Sequence, residues 1–432
     1  MKVLMFGWEF PPFISGGLGT ACFGLTKELS KIGAEITFVV PRFDGSTEGA
    51  PVRLVSAQQV ISNPEEFQKR PMSSHLRKYI QFNSALRPYQ SIETYQDYLQ
   101  KLKTRPVTSG DYGSVDFTGG YGENLMAEVV RYSLVGGHLG ATEEFDVIHA
   151  HDWMTYLAGI EAKKVSGKPL VIHVHATEFD RAGEFNNPDI YHLEKYGMEM
   201  ADKIITVSNR TKNILIHKYN IDPNKIHVVY NAVEKDHISE LGALSKLSNN
   251  KDKIVLFLGR ITMQKGPEYF IEAASVVLQK LQNVRFVMAG SGDLARNMIE
   301  KMATMRLIDR FHFTGFLKEP ERERLFAMSD LYIMPSVSEP FGITPLEAMK
   351  HGIPVIISKQ SGIAEILDDN VVKVDFWDVQ KLAQAIIELL SNPKMTHTMV
   401  ENNRRTLEQI DWKYSAQHTM EVYNQTMAEY PR

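Results

Sequence analysis

The sequence predicts an α/β protein built from two Rossmann-like domains, and three observations carry that expectation. Short apolar runs, such as Lys2–Phe6, Glu35–Val40 and the KIVLFLG ending at Gly259, stop at glycine-rich or polar turns that lead into helical patterns. A length of 432 residues allows two to three domains. A polar stretch of irregular pattern, 236–252, separates one series of strand–helix units from the next and reads as a linker.

Composition bounds the class. With 43% apolar and 23% charged residues the chain is an ordinary soluble globular sequence with ample core. A formal charge of −4 gives no electrostatic case for nucleic acid or an anionic membrane. The single cysteine, Cys22, allows no internal disulfide, and no metal cluster is expected around it. It is expected as a small core residue on a helix. No apolar run reaches the roughly 18 residues that would suggest a membrane span. The opening MKVLMFGWEFPP reads as a strand followed by prolines rather than a signal peptide, so the cytoplasm is the default location. The oligomeric state is not readable.

In chain order, the first strand leads to Gly16-Gly17-Leu18-Gly19, which opens a helix expected over 20–32. Glycines at a helix start let a ligand approach the backbone and its free N–H groups. Residues 44–122 lose the alternating pattern and are expected to form an insertion over the cleft. Tyr112, Phe117 and Tyr121 could stack on sugar rings there, although packing within the insertion is the commoner use of such aromatics. A helix over 125–136 precedes a strand over 146–150, followed by His151, Asp152 and Trp153. The next strand, 169–174, runs into HVHATEFDR. Both strand ends lie where doubly wound sheets bind ligands. The alternate histidines, His149 with His151 and His173 with His175, are read as pointing to opposite faces of their strands, which argues against a metal. His173 is expected as a satisfied core histidine.

Beyond the linker, Arg260 and Lys265 flank a turn at a strand end that leads to a helix. Two cations there suit a diphosphate. VRFVMAGSGDLA is a loose dinucleotide fingerprint, but no acidic residue ends the second strand, so a nicotinamide nucleotide is excluded. Then comes SVSEPFGITPLEAMKHG. Thr344, Pro345 and Glu347 are expected as N-cap, first helical residue and capping-box partner of a short helix. Gly342, Ile343 and Thr344 would bring a strand end and a helix start to one point, a setting that suits phosphate. Glu339 and Glu347 flank it, and carboxylates beside an anion more plausibly hold hydroxyls. Helices over 379–390 and 393–409 follow, and Asp411-Trp412 leads to a last one.

EPFGITPLEAM, together with HFTGFL, LFAMSDLYIMPSVSEPFGITPLEAMKHGIPVIIS and SGIAEIL, resembles the signature of retaining nucleotide-sugar glycosyltransferases with the GT-B fold, families four and five. HAHDW with GGLG is similar to glycogen synthases within them. The resemblance implies two Rossmann-like domains facing across a cleft, at 1–235 and 236–412, and a C-terminal helix, 413–432, crossing back onto the first. It implies that Glu339 meets the donor sugar hydroxyls and Glu347 the ribose. Arg260, Lys265 and the backbone at Gly16 and Gly17 would hold the diphosphate. Gly290, Phe316 and Leu317 would lie by the base, His175 against the transferring sugar, and His151 and Asp152 on the acceptor side. Asn231 and Val233 match a family turn that closes the first domain.

Two stretches depart from the family pattern. Glycogen and starch synthases of bacteria carry Lys-x-Gly-Gly-Leu and a nearby acidic residue where this chain has Ile14 and Thr20. Two glycines often stand where Ser361-Gly362 stands here. The expected function is metal-independent transfer of glucose, with retention, from UDP-glucose or ADP-glucose to the non-reducing end of an α-1,4-glucan. No cofactor is expected, and no Asp-x-Asp occurs in the chain. The alternatives are another sugar, glycan or lipid acceptor, or a nucleotide-sugar epimerase or hydrolase on the same fold. A non-catalytic carbohydrate-binding protein would not need Arg260, Lys265, Glu339 and Glu347 together.

Overall fold

The computed structural model describes residues 1–11, 16–43, 50–61, 117, 125–234, 252–367 and 369–430. Two parallel sheets organise it. The first contains β1 (Lys2–Phe6), β2 (Glu35–Val40), β3 (Arg53–Ser56), β4 (Val147–His151), β5 (Leu170–Val174), β6 (Lys203–Thr206) and β7 (Ile226–Val228), in the order β3-β2-β1-β4-β5-β6-β7. The second contains β8 (Lys253–Leu258), β9 (Val284–Ala289), β10 (Phe311–Gly315), β11 (Leu331–Met334), β12 (Val355–Ser358) and β13 (Val372–Val374), in the order β10-β9-β8-β11-β12-β13. Each therefore has the strand order of a dinucleotide-binding sheet, and the order reverses between β1 and β4 and again between β8 and β11.

The near-continuous apolar strands follow from burial on both faces, as parallel sheets require. Val3 and Met5 enter one core, while Leu4 and Phe6 between them enter another. Ile254 and Leu256 join the first of these cores, which thus runs from one sheet to the other, and Val255 and Phe257 face a third.

The structure departs from the expected elements at a few places. Residues Arg53–Ser56 form the edge strand β3, so part of the expected insertion belongs to the first sheet. RLVS is too short to announce a strand by alternation. Phe117 is fully buried and packs edge-on to Tyr132, which makes it a core residue, while Tyr112 and Tyr121 lie outside the described residues. The first helix spans Gly17–Lys31, starting inside the glycine run rather than after it.

The final helix, Trp412–Glu429, packs against the helix Gly17–Lys31 of the first sheet. Asp411 caps it by accepting from the Lys413 N–H at 2.9 Å. The Trp412 indole fills the space over Gly24, where a Cβ would lie 2.3 Å from Nε1. Gly24→Ala is therefore expected to lower thermal stability by about 1–3 kcal/mol through overpacking. Thermal unfolding checks this; an unchanged Tm would mean that the final helix is not seated on Gly24. Among the described residues, no helix is long and apolar enough to cross a membrane.

Candidate active site

The two strand-order reversals mark where ligands are bound in such sheets, and the sequence-predicted residues gather there. From the first sheet, Gly16 caps the helix Gly17–Lys31 at the end of β1's connection. From the second, Arg260 follows β8. The two face each other across the cleft: a Cβ on Gly16 would lie 3.1 Å from Arg260 Nη2. Among the described residues, a Cβ on Gly17 would meet nothing within 4 Å. A helix start and a guanidinium converge on one volume, an arrangement that suits an anion by dipole and by charge.

Lys265 ends the short 3₁₀ helix Met263–Lys265, and its Nζ donates to Glu339 Oε2 at 2.5 Å. The same carboxylate oxygen accepts from the Ser336 hydroxyl at 3.3 Å. The Glu339 backbone is locked as well, its N–H donating to the Gln360 carbonyl and its carbonyl accepting from Gly362 N–H, both at 2.9 Å. A Cβ on Gly362 would lie 2.1 Å from the Pro340 carbonyl oxygen, whereas the Ser361 hydroxyl finds a partner in the Ser358 carbonyl. That explains why this chain keeps glycine at 362 and tolerates serine at 361.

Gly290 sits at φ +134°, and a Cβ there would lie 1.9 Å from the Gly259 carbonyl oxygen. Only glycine lets the turn after β9 reach the loop that carries Arg260. Phe316 beside it is exposed and Leu317 half-buried.

The helix after β11 corrects one expectation. It spans Thr344–Lys350 with Ile343 as its cap residue, and no side chain caps it. Thr344 is already helical. Glu347 is not a capping-box partner. Its Oε1 lies 3.4 Å from Arg322 Nη2, and burial pushes its carboxyl up against the pull of that guanidinium. Gly342, at φ +104°, turns the chain from Glu339 into this helix. Burial, and after it the charges of Glu339 and Glu347, push the Tyr332 phenol well above its ordinary value.

The histidines contradict the expected opposite faces. Successive strand residues alternate, so residues i and i+2 share a face. His149 stacks on His151 and His173 on His175, each with ring centroids 4.2 Å apart. β4 and β5 pair His151 with His173, which brings all four rings together. His151 Nδ1 and His175 Nε2 share a hydrogen bond at 2.9 Å. Burial drives His149 and His175 down to about 3, so His175 is a neutral imidazole. His173 is not the satisfied core residue expected, for neither ring nitrogen has a hydrogen-bond partner among the described residues.

Asp152 holds this end of the sheet together. It adopts φ 59° and ψ 166°, a region costing a non-glycine residue roughly 1–3 kcal/mol. Its Oδ1 accepts from the backbone N–H groups of His175 at 2.7 Å and Ala176 at 3.3 Å. Burial raises its carboxyl to about 6, against the pull of Arg181. Asp152 thus positions His175 through the backbone. Trp153 is buried and structural.

Sequence reasoning missed the residues that join the two sheets. Ser338, next to Glu339, donates to Asp180 Oδ1 at 2.6 Å and accepts from Arg210 Nη2 at 3.0 Å. Ser208 donates to the Pro340 carbonyl at 2.6 Å. Glu365 accepts from the backbone N–H groups of Asn209 at 2.9 Å and Arg210 at 2.7 Å, at the positive end of the helix Asn209–Tyr219. The polar run TEFDR was the only available signal.

Two parallel sheets of this order, meeting at their reversal points with cations, carboxylates and helix starts between them, define a GT-B glycosyltransferase. Residues 2–222 match the family model of the starch synthase catalytic domain, and 244–406 that of group 1 glycosyl transferases. The chain belongs to the starch synthase catalytic-domain family, and it is a glycosyltransferase. An uncharacterized glycosyltransferase of Methanocaldococcus jannaschii is 28% identical over 99% of both chains. A glycogen synthase of Mycobacterium tuberculosis is 23% identical over 98% of this chain and 94% of its own. Among solved structures, sucrose-phosphate synthase of Thermosynechococcus elongatus superposes with TM-score 0.71 at 17% identity over 99% of each chain. An Anabaena protein in complex with UDP and glucose does so with TM-score 0.66 at 18% identity, over 98% of this chain and 99% of that one.

Proposed function

We propose that the protein transfers glucose, with retention and without a metal, from UDP-glucose or ADP-glucose to the non-reducing end of an α-1,4-glucan. The observation that carries this reading is the convergence of Arg260 on the Gly16 helix start, beside the Lys265–Glu339 pair. Arg260, Lys265 and the helix starts at Gly17 and Ile343 would hold the diphosphate and stabilise the charge it gains on leaving. Glu339 and His175 position the sugar, His175 as a neutral imidazole. Glu347 takes the ribose and Phe316 and Leu317 the base, while His151 and Asp152 support the acceptor side. In the reaction the acceptor hydroxyl oxygen bonds to the anomeric carbon on the face from which the diphosphate oxygen departs. The hydroxyl proton passes to a phosphate oxygen, so no side-chain nucleophile is required.

The glucan acceptor draws its support from the starch synthase family match and from the mycobacterial relative named glycogen synthase. The donor class is supported by the Anabaena neighbour solved with UDP and glucose. A donor-by-acceptor screen tests the reading. Purified protein with excess chelator receives UDP-glucose or ADP-glucose with glycogen, with maltooligosaccharides or with nothing, and free nucleoside diphosphate is followed. Release that depends on glucan is expected. Release indifferent to glucan would assign the acceptor to another class, rapid release with no acceptor would point to a hydrolase, and conversion of the donor into another nucleotide sugar without release would point to an epimerase.

A further inference from the structure

The histidine cluster is larger than sugar positioning needs, and a thiol lies beside it. Cys22, on the helix Gly17–Lys31, is fully buried, and so is His151. One ligand atom each from Cys22, His151 and His175 lies within 4.8 Å of the others. We propose that Cys22, His151 and His175 form a binding site for a zinc-class divalent ion, and that occupancy switches the enzyme off.

The chemistry favours that class. A thiolate and two neutral imidazoles are ligands for a borderline-soft d-block ion rather than for magnesium or calcium. His151 Nδ1 and His175 Nε2 point at one another across 2.9 Å, so an ion can replace the hydrogen they share after a small separation of the rings. That hydrogen moves to the other nitrogen of its ring. His151 Nε2 is buried with no hydrogen-bond partner among the described residues and is open to such a tautomer. The Cys22 thiol releases its proton to solvent on binding, as thiolate ligation requires.

A second trio, His149, His151 and His173, is equally compact. Its rings are stacked, with interplanar angles of 23° for His149–His151 and 15° for His149–His173. Stacked rings send their nitrogens along nearly parallel lines and do not converge on an ion. The first trio also touches function, because an ion on His175 removes it from the donor sugar. That consequence, though not the site itself, rests on the role given to His175 above.

The test uses full-length protein with cobalt(II) and zinc(II) as probes. Equilibrium dialysis is expected to find one ion per chain. Cobalt should give a thiolate-to-metal charge-transfer band that Cys22→Ala abolishes and His173→Phe leaves intact. Zinc should stop glucan-dependent diphosphate release by the wild type, chelator should restore it, and Cys22→Ala should stay active in zinc. No bound ion, or binding lost in His173→Phe and kept in Cys22→Ala, would overturn the proposal. Binding through Cys22 with transfer unaffected would uphold the site, overturn the switch and count against His175 as a sugar-positioning residue.

Discussion

Lys265→Ala and Glu339→Ala are each expected to lower turnover at least about a hundredfold, with the fold intact. The two side chains form one unit, joined at 2.5 Å, with Glu339 Oε2 also accepting from Ser336. Lys265 would face charge that develops only as the diphosphate leaves, and such contacts act on turnover more than on substrate affinity. Glu339 would hold the sugar so that its anomeric carbon meets both leaving group and acceptor. Because each residue orients the other, the double variant should lose little more than either single one. Steady-state kinetics on the four proteins, with circular dichroism as a check on folding, decides the matter. Near-wild-type turnover in either single variant, or losses that multiply in the double, would remove the pair from the catalytic unit.

Arg181→Met is expected to cost about 3–5 kcal/mol of stability, the scale of breaking a buried ion pair from one side. Arg181 Nε donates to Glu178 Oε2 at 3.0 Å, and its Nη2 pairs with Glu194. All three side chains are nearly inaccessible. Burial already lifts Glu194 to about 7 against the guanidinium's pull. Its folded value thus lies above its unfolded one, so the folded state binds more protons between the two and this group's contribution to stability falls as pH rises through that window. Without Arg181 the folded value rises further, and the carboxyl escapes the penalty by protonating at low pH. The variant's deficit should therefore be larger at pH 8 than at pH 5.5. Denaturant unfolding at both pH values reads it; a deficit that is constant or smaller at pH 8 would show that Glu194 is not the group left exposed to the cost. Asp180, between Arg181 and Ser338, ties this cluster to the cleft, so some loss of activity should accompany it.

Much of the fold was legible because its signals are local. Apolar strands buried on both faces, glycine turns at helix starts and a polar linker need no tertiary knowledge. Arg260 and Lys265 could be singled out because they flank the turn between a strand end and a helix, and Glu339 because it opens the EPFGITPLEAM motif. Three things stayed hidden for physical reasons. The four-residue edge strand Arg53–Ser56 has too little pattern to be seen. The capping box at Thr344 was plausible in spacing, but Glu347 turns to Arg322, a partner on another helix. The links between the sheets join residues far apart in sequence, such as Asp180 with Ser338 and Glu365 with Arg210, and beyond the polar run TEFDR nothing local marks them. The histidine faces are a different case. The period of a strand alone places His149 beside His151, so that arrangement was available in the sequence and was misread.

The measurement that bears most directly on the central claim is a proton NMR time course of the product. UDP-glucose and ADP-glucose, both α-configured, would be supplied separately with a maltooligosaccharide and excess chelator. The account predicts that new α-1,4 linkage signals grow at the rate at which nucleoside diphosphate appears with at least one donor. A β-linked product, or free glucose appearing in place of a longer chain, would contradict it.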